Sequence, residues 1–234
     1  SIGLVGSEMC IRDRKILFLM FTENVVSVDF LIKRAKEIQV VIDNHALEIE
    51  KLDQEIGDGD HIFNVQRGIK LVIELEPIIK DLSMSKALNQ IAMKVLSGIG
   101  GSSGALFGTL FMTMAKSSNI DKSIDYKKAI EMFAYGVEAV KQRGKADVGE
   151  KTMMDVLIPV AHCLKQGIDK NKDLKDLMNE AIEIAEKGML STKNLLATKG
   201  RASFLGERSR GHIDPGARSS QLMIKTVCTS ILNS

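Results

Sequence analysis

From Val28 onward, apolar residues recur at spacings of three and four, the period that lays one face of an α-helix against a core. Leu31, Ala35, Ile38, Ile42, Ile49 and Leu52 form a first stripe, and Leu88, Ile91, Ala92, Val95 and Leu96 another. The pattern resumes at Phe107–Met114, Ala129–Val140, Met154–Ala161, Leu174–Ala185 and Met223–Ile231, with a shorter segment at about 62 to 75. The spacing predicts eight helices. No stretch alternates with a period of two between hairpin signals, so the expected fold class is all-α. Helices joined by mostly short connections favour antiparallel neighbours around a common axis, a bundle or a helical barrel.

Composition narrows the function classes. With 44% hydrophobic and 26% charged residues, the 234-residue chain is an ordinary globular protein. Thirty-two basic residues against thirty acidic ones lack the excess that phosphate-backbone binding requires, so nucleic acid is not an expected partner. The longest apolar run near the N-terminus, Ile16 to Phe21, falls well short of the roughly 20 residues of a membrane span. Cys10, Cys163 and Cys228 show no paired spacing, which points to free thiols, and the chain is read as cytoplasmic. Residues 1–14 have neither period and read as a translated adapter or mis-called start. Residues 1–26 are expected to lie outside the core, with 27–234 forming a single domain.

The candidate chemistry lies in four breaks between helices. Asp53, Glu55, Asp58 and Asp60 place four acids within eight residues, an arrangement that a hard divalent cation would resolve. A solvated acidic turn is the alternative, and an EF-hand fails because its twelfth position is Ile69 or Asn64. Gly98, Gly100, Gly101 and Gly104 surround Ser102 and Ser103 ahead of a helix expected near Ala105. Free N–H groups there would cradle an anion. Close helix packing is a second explanation for the glycines. A third is the nucleophile elbow GxSxG of Gly100, Ser102 and Gly104, which needs a preceding strand where the sequence has helical period. The break at 143–153 holds RGKADVGEKTM, and that at 198–219 carries Lys199, Arg201, Arg208, Arg210 and Arg218 with Glu207, His212 and Asp214. These cations could meet phosphates or simply be solvated, and Pro215 with Gly216 is expected to open the last helix. Together, an acidic metal site, an anion cradle and a basic clamp are the components of phosphoryl transfer.

Four blocks, LDQEIGDGDH (52–61), GGSSGALFGT (100–109), RGKADVGEKTMMDVLIP (143–159) and KGRASFLGERSRGHIDPGA (199–217), resemble the signatures of the dihydroxyacetone kinase L-subunit family, in order and over about residues 28–232. The resemblance implies an eight-helix antiparallel up-and-down barrel with the nucleotide at one end. It further implies two Mg²⁺ ions held by Asp53, Asp58 and Asp60, with Glu55 not a ligand. ADP or ATP would be contacted by His61, Asn64, Ser102, Ser103, Gly144, Met153, Arg201, Asp214, Pro215 and Gly216, with Met153 and Leu106 facing the adenine. Ile62, Ser102 and Val148 depart from the family pattern; Ile62 replaces a glycine, and a β-branched residue resists positive φ. The implied partners are a K subunit that holds dihydroxyacetone and an M subunit whose phosphohistidine recharges bound ADP. Another small ketose or polyol such as erythrulose, or a non-catalytic nucleotide-binding module, is the alternative function.

Overall fold

The computed structural model describes residues 25–118 and 123–234. The expectations for residues 1–24, including Cys10, lie outside them. A short strand β1 (Val25–Ser27) leads into α1 (Val28–Asn44), α2 (Ala46–Ile56), α3 (His61–Glu74), the single turn α4 (Glu76–Ile79), α5 (Met84–Gly98) and α6 (Gly101–Ser117). Strand β2 (Ser123–Asp125) then precedes α7 (Tyr126–Gly144), α8 (Met154–Asp169), α9 (Leu174–Ser191) and α10 (Pro215–Leu232). Two 3₁₀ segments, Thr192–Asn194 and Arg201–Ser209, occupy the connection between α9 and α10.

Eight of these helices close a ring. α1 packs on α3, α3 on α5, and α5 through α10 each pack on the next in sequence, with α10 returning to α1. The fold is all-α, as the stripes predict, and the ring is the barrel that the family resemblance implies. The first stripe is two helices rather than one, because the chain breaks at His45, whose ring Nδ1 lies 2.8 Å from the Val41 carbonyl. Apolar spacing continues across the break, and Ile42 and Ile49 share one buried cluster with Ile62, Val65 and Leu222. The barrel interior retains an apolar cavity of about 280 Å³, lined by residues that include Phe30, Val65, Ile99, Phe107, Phe133 and Val227.

Sequential packing with short connections makes neighbouring helices antiparallel, so the connections alternate between the two ends of the barrel. The α2–α3, α5–α6, α7–α8 and α9–α10 connections share one end, and these are the four breaks that carry the candidate chemistry. The opposite end holds β1 and β2, an antiparallel pair that aligns Val26 with Ile124. At three residues each, the strands are too short for any alternation to be legible. Val26 lies outside the core in the sequence reading, yet it is buried in a cluster with Met84, Leu88 and Ile124. Among the described residues, no helix is long and apolar enough to cross a membrane.

Candidate functional site

Asp53 sits on the last turn of α2 and is buried at 4% exposure, whereas Asp58 and Asp60 are exposed in the turn that follows. One carboxylate oxygen from each of the three lies within 4.8 Å of the other two. The turn that achieves this depends on two glycines. Gly59 has φ +79°, a left-handed conformation. At Gly57 a Cβ would fall 1.9 Å from Asp53 Oδ1, so no other residue leaves the carboxylate where it is. The backbone N–H of His61 donates to Asp53 Oδ2 at 3.0 Å and fixes the rotamer. Three converging carboxylates are hard oxygen donors of the kind magnesium takes. Glu55 is exposed and outside the cluster.

α3 begins directly after this turn. His61 Nε2 lies 3.0 Å from Ser219 Oγ on α10, and the ring also bonds the Pro215 backbone. Burial pushes the His61 pKa down, opposed by the charges of Asp53 and Asp60 and by the Pro215 bond. Asn64, half-buried one turn on, borders the interior cavity. Ile62 is a buried helical residue packed with Ile42 and Ile49, so this loop asks no positive φ of it, contrary to the concern that its sequence raises.

The glycine cradle is helical four residues earlier than expected. α6 starts at Gly101 with Gly100 as its N-cap, placing Ser102 and Ser103 in the first turn where backbone N–H groups lack intrahelical acceptors. Glycine and serine have weak helix propensity, which hides the start from a periodic reading. Gly104 is required by packing, since a Cβ there would lie 2.3 Å from the Ile99 carbonyl oxygen. The segment before the cradle is α5, not a strand, so the hydrolase elbow is absent.

Gly144 ends α7, and a Cβ on it would touch Leu106 at 3.4 Å. Leu106 and Met153 pack against the same buried cluster. A Cβ on Gly216 would lie 3.5 Å from Met153 Cβ, so these residues, expected to meet the nucleotide, are neighbours although they come from three breaks. Asp214 caps α10 by accepting the Ala217 N–H at 2.7 Å, and its own N–H donates to Thr192 Oγ1 at 3.0 Å. Desolvation raises the Asp214 pKa to about 7, against the Ala217 bond and the charge of Lys151.

The basic clamp reduces to one residue. Arg201 Nε meets Asp58 Oδ2 at 2.9 Å. Lys199 pairs with Glu150, Arg210 with Glu207 and the Asn194 carbonyl, and Arg218 with both carboxylate oxygens of Glu48 on α2. The break at 198–219 contains the 3₁₀ turns of Arg201–Ser209, pinned by buried Ser209, whose hydroxyl accepts the Ala197 N–H. Sequence reasoning missed Ser219, Thr192 and Lys151. Lys151 lies inside the GEKTM block, but nothing local distinguishes it from a solvated loop lysine.

The DAK2 domain model matches residues 55–229. The chain is 43% identical over 174 residues to the ADP-binding subunit DhaL of the PEP-dependent dihydroxyacetone kinase of Escherichia coli, covering 74% of this chain and 83% of that one. It is 34% identical over 203 residues to the ADP-binding subunit DhaL of the PTS-dependent dihydroxyacetone kinase of Lactococcus lactis, covering 87% and 97%. The fold matches the crystal structure of the dihydroxyacetone kinase from C. freundii in complex with AMP-PNP and Mg²⁺ with a TM-score of 0.65 at 20% identity, over 86% of this chain and 34% of that one. The chain therefore belongs to the DAK2-domain family, among the ADP-binding subunits of dihydroxyacetone kinases.

Proposed function

We propose that the chain is the nucleotide-binding subunit of a dihydroxyacetone kinase. It holds an adenine nucleotide with two Mg²⁺ ions at the end of the barrel formed by the four breaks, and passes the γ-phosphoryl group to dihydroxyacetone carried by a K subunit. A phosphohistidine on an M subunit recharges the bound ADP. The observation that carries this reading is the cluster of Asp53, Asp58 and Asp60, whose oxygens converge within 4.8 Å at the barrel end where α6 also begins.

Each part of the chain has a distinct task. Asp53, Asp58 and Asp60 hold the metal, and bound magnesium supplies the positive charge that the transferring phosphoryl oxygens need. Ser102, Ser103 and the unpaired N–H groups of the first turn of α6 bind phosphate. Leu106, Gly144, Met153 and Gly216 provide an apolar seat for the base. Arg201, which meets Asp58 at 2.9 Å, would turn to a phosphate once metal occupies that carboxylate. His61 fixes α3 to α10 through Ser219 and Pro215.

The chain's relatives that are separate ADP-binding subunits favour dihydroxyacetone over erythrulose as acceptor: the L-erythrulose kinase of Pectobacterium atrosepticum is 29% identical, and this chain covers 32% of it. Titration of the purified chain with ADP and Mg²⁺ tests the proposal. Saturable one-to-one binding that needs magnesium and is lost in Asp58→Ala is expected, together with transfer to dihydroxyacetone when K and M subunits are added. Absence of nucleotide binding, in protein shown by denaturation to carry none already, would refute it.

A further inference from the structure

We propose that Lys151 is a positioning residue for the nucleotide site, a strut that sets the Asp214–Gly216 turn from beneath. The inference rests on the assignment of that turn to nucleotide binding. Lys151 is 1% exposed, an unusual place for an ammonium group, and its φ of +61° is left-handed for a residue with a side chain. Its Nζ donates to two backbone carbonyls on separate elements, Thr192 after α9 and His212 ahead of α10.

The backbone beneath this side chain is held firmly. Asp155, 1% exposed, accepts the N–H of Gly149 at 2.6 Å and of Thr152 at 2.8 Å, so Lys151 lies between two bonds to one carboxylate. That carboxylate stands on a close contact between α8 and α9, since a Cβ at Gly188 would fall 2.3 Å from the Asp155 carbonyl oxygen. Overdetermination of this kind is what sustains an unfavourable φ. Thr192 is the second half of the device. Its carbonyl receives the Lys151 ammonium, while its hydroxyl accepts the Asp214 N–H and donates to the Met189 carbonyl at 2.7 Å.

The turn that opens α10 is thus gripped at His212 and at Asp214, and both grips lead to Lys151 directly or through one residue. Desolvation lowers the Lys151 pKa, and the negative charges of Asp214 and Asp155 oppose that shift. Without the ammonium, the buried Thr192 carbonyl and the half-buried His212 carbonyl would lose their donor and the turn could move relative to Met153. Groups that orient the ligands of a metal site change affinity by about 10 to 100-fold when removed, and an effect of that order is expected for the strut.

The test compares Lys151→Met, Thr192→Val and the double variant with the wild-type chain. Each is titrated with ADP and Mg²⁺ well below its unfolding midpoint, and amide hydrogen exchange is followed peptide by peptide. Positioning predicts at least tenfold weaker binding in Lys151→Met, and a double variant no weaker than the worse single one, because both act on the same turn. It also predicts faster exchange confined to residues 212–217, with α8 and α9 protected as before. A purely structural lysine would lower stability and protection throughout while leaving affinity of the folded protein unchanged. Affinity within twofold of wild type for folded Lys151→Met overturns the inference; should that variant not fold, the same result for Thr192→Val does so. Asp58→Ala run alongside separates the two levels: loss of binding there with none in Lys151→Met refutes only the strut, whereas a wild-type chain that binds nothing refutes the site.

Discussion

Replacing Asp60 with Asn should make the ligand-free chain more stable and the loaded chain less so. Asp60 is the N-cap of α3 but makes no capping hydrogen bond with its side chain, and Asn caps as well as Asp, so the substitution changes charge and little else. Its carboxylate stands within 4.8 Å of those of Asp53 and Asp58. The Asp53–Asp60 pair repels by about 0.9 kcal/mol in the dielectric of water, whereas Asp58 adds little net repulsion because Arg201 meets it at 2.9 Å. Loss of a favourable charge at the α3 N-terminus offsets about 0.5 kcal/mol of this. The net gain is about 0.4 kcal/mol, which raises the unfolding midpoint of a chain this size by about 1 to 2 °C. Thermal unfolding followed by circular dichroism in chelator at low salt should show that rise, and it should fade at about 0.5 M salt as screening shortens the interaction. With ADP and Mg²⁺ at about 100 times the dissociation constant, the wild type gains about 2.7 kcal/mol and Asp60→Asn much less, so the order inverts. A variant less stable than wild type in chelator, or one that magnesium and nucleotide stabilise equally, would refute the reasoning.

Gly57→Ala should keep the helices but cost some stability, because its Cβ would also fall 2.9 Å from the Asp53 carbonyl oxygen, and should weaken magnesium-dependent nucleotide binding at least tenfold. The new Cβ would occupy the place of Asp53 Oδ1, and calorimetric titration reads the loss. Asp214 titrates at about 7 in the folded chain against an ordinary value near 3.8, so folding favours its protonated form. Its contribution to stability is therefore complete below about pH 4 and is lost as pH rises through 7. Urea unfolding of the ligand-free protein should show Asp214→Asn flatter across that window and more stable than wild type at pH 8, by on the order of a few kcal/mol. A wild-type profile with no decline from pH 4 to 8 attributable to this residue would contradict it.

The ring of eight helices was legible because each carries its own stripe, and the acidic triad because Asp53, Asp58 and Asp60 lie within one turn of chain. Local signals failed in three kinds of place. The break at His45 left no mark, since Ile42 and Ile49 serve the same cluster on either side of it. The start of α6 was obscured because Gly101 and Gly104 read as loop, although close packing on Ile99 is what demands the second of them. The supporting contacts were out of reach altogether: Lys151 finds its acceptors 41 and 61 residues away, and His61 meets Ser219 across 158. The basic segment illustrates the opposite error, where clustering in sequence suggested a joint role. Folding disperses those cations, and only Arg201 meets the acidic triad.

The strand pair at the far end has an architectural consequence. Strand β1 enters α1 there, and α10 finishes beside it, with Arg34 bonded to Ser230 and Tyr126 to Ser234. Both described termini therefore leave the barrel on the side opposite the acidic triad, next to each other. A domain fused through either one would hang from the base and leave the end with the acidic triad uncovered. In the C. freundii kinase the matching region makes up 34% of a longer chain, so this barrel shape is compatible with life as a separate part or as one module in a covalent string. The length of any linker at the base would then set the local concentration of a tethered domain.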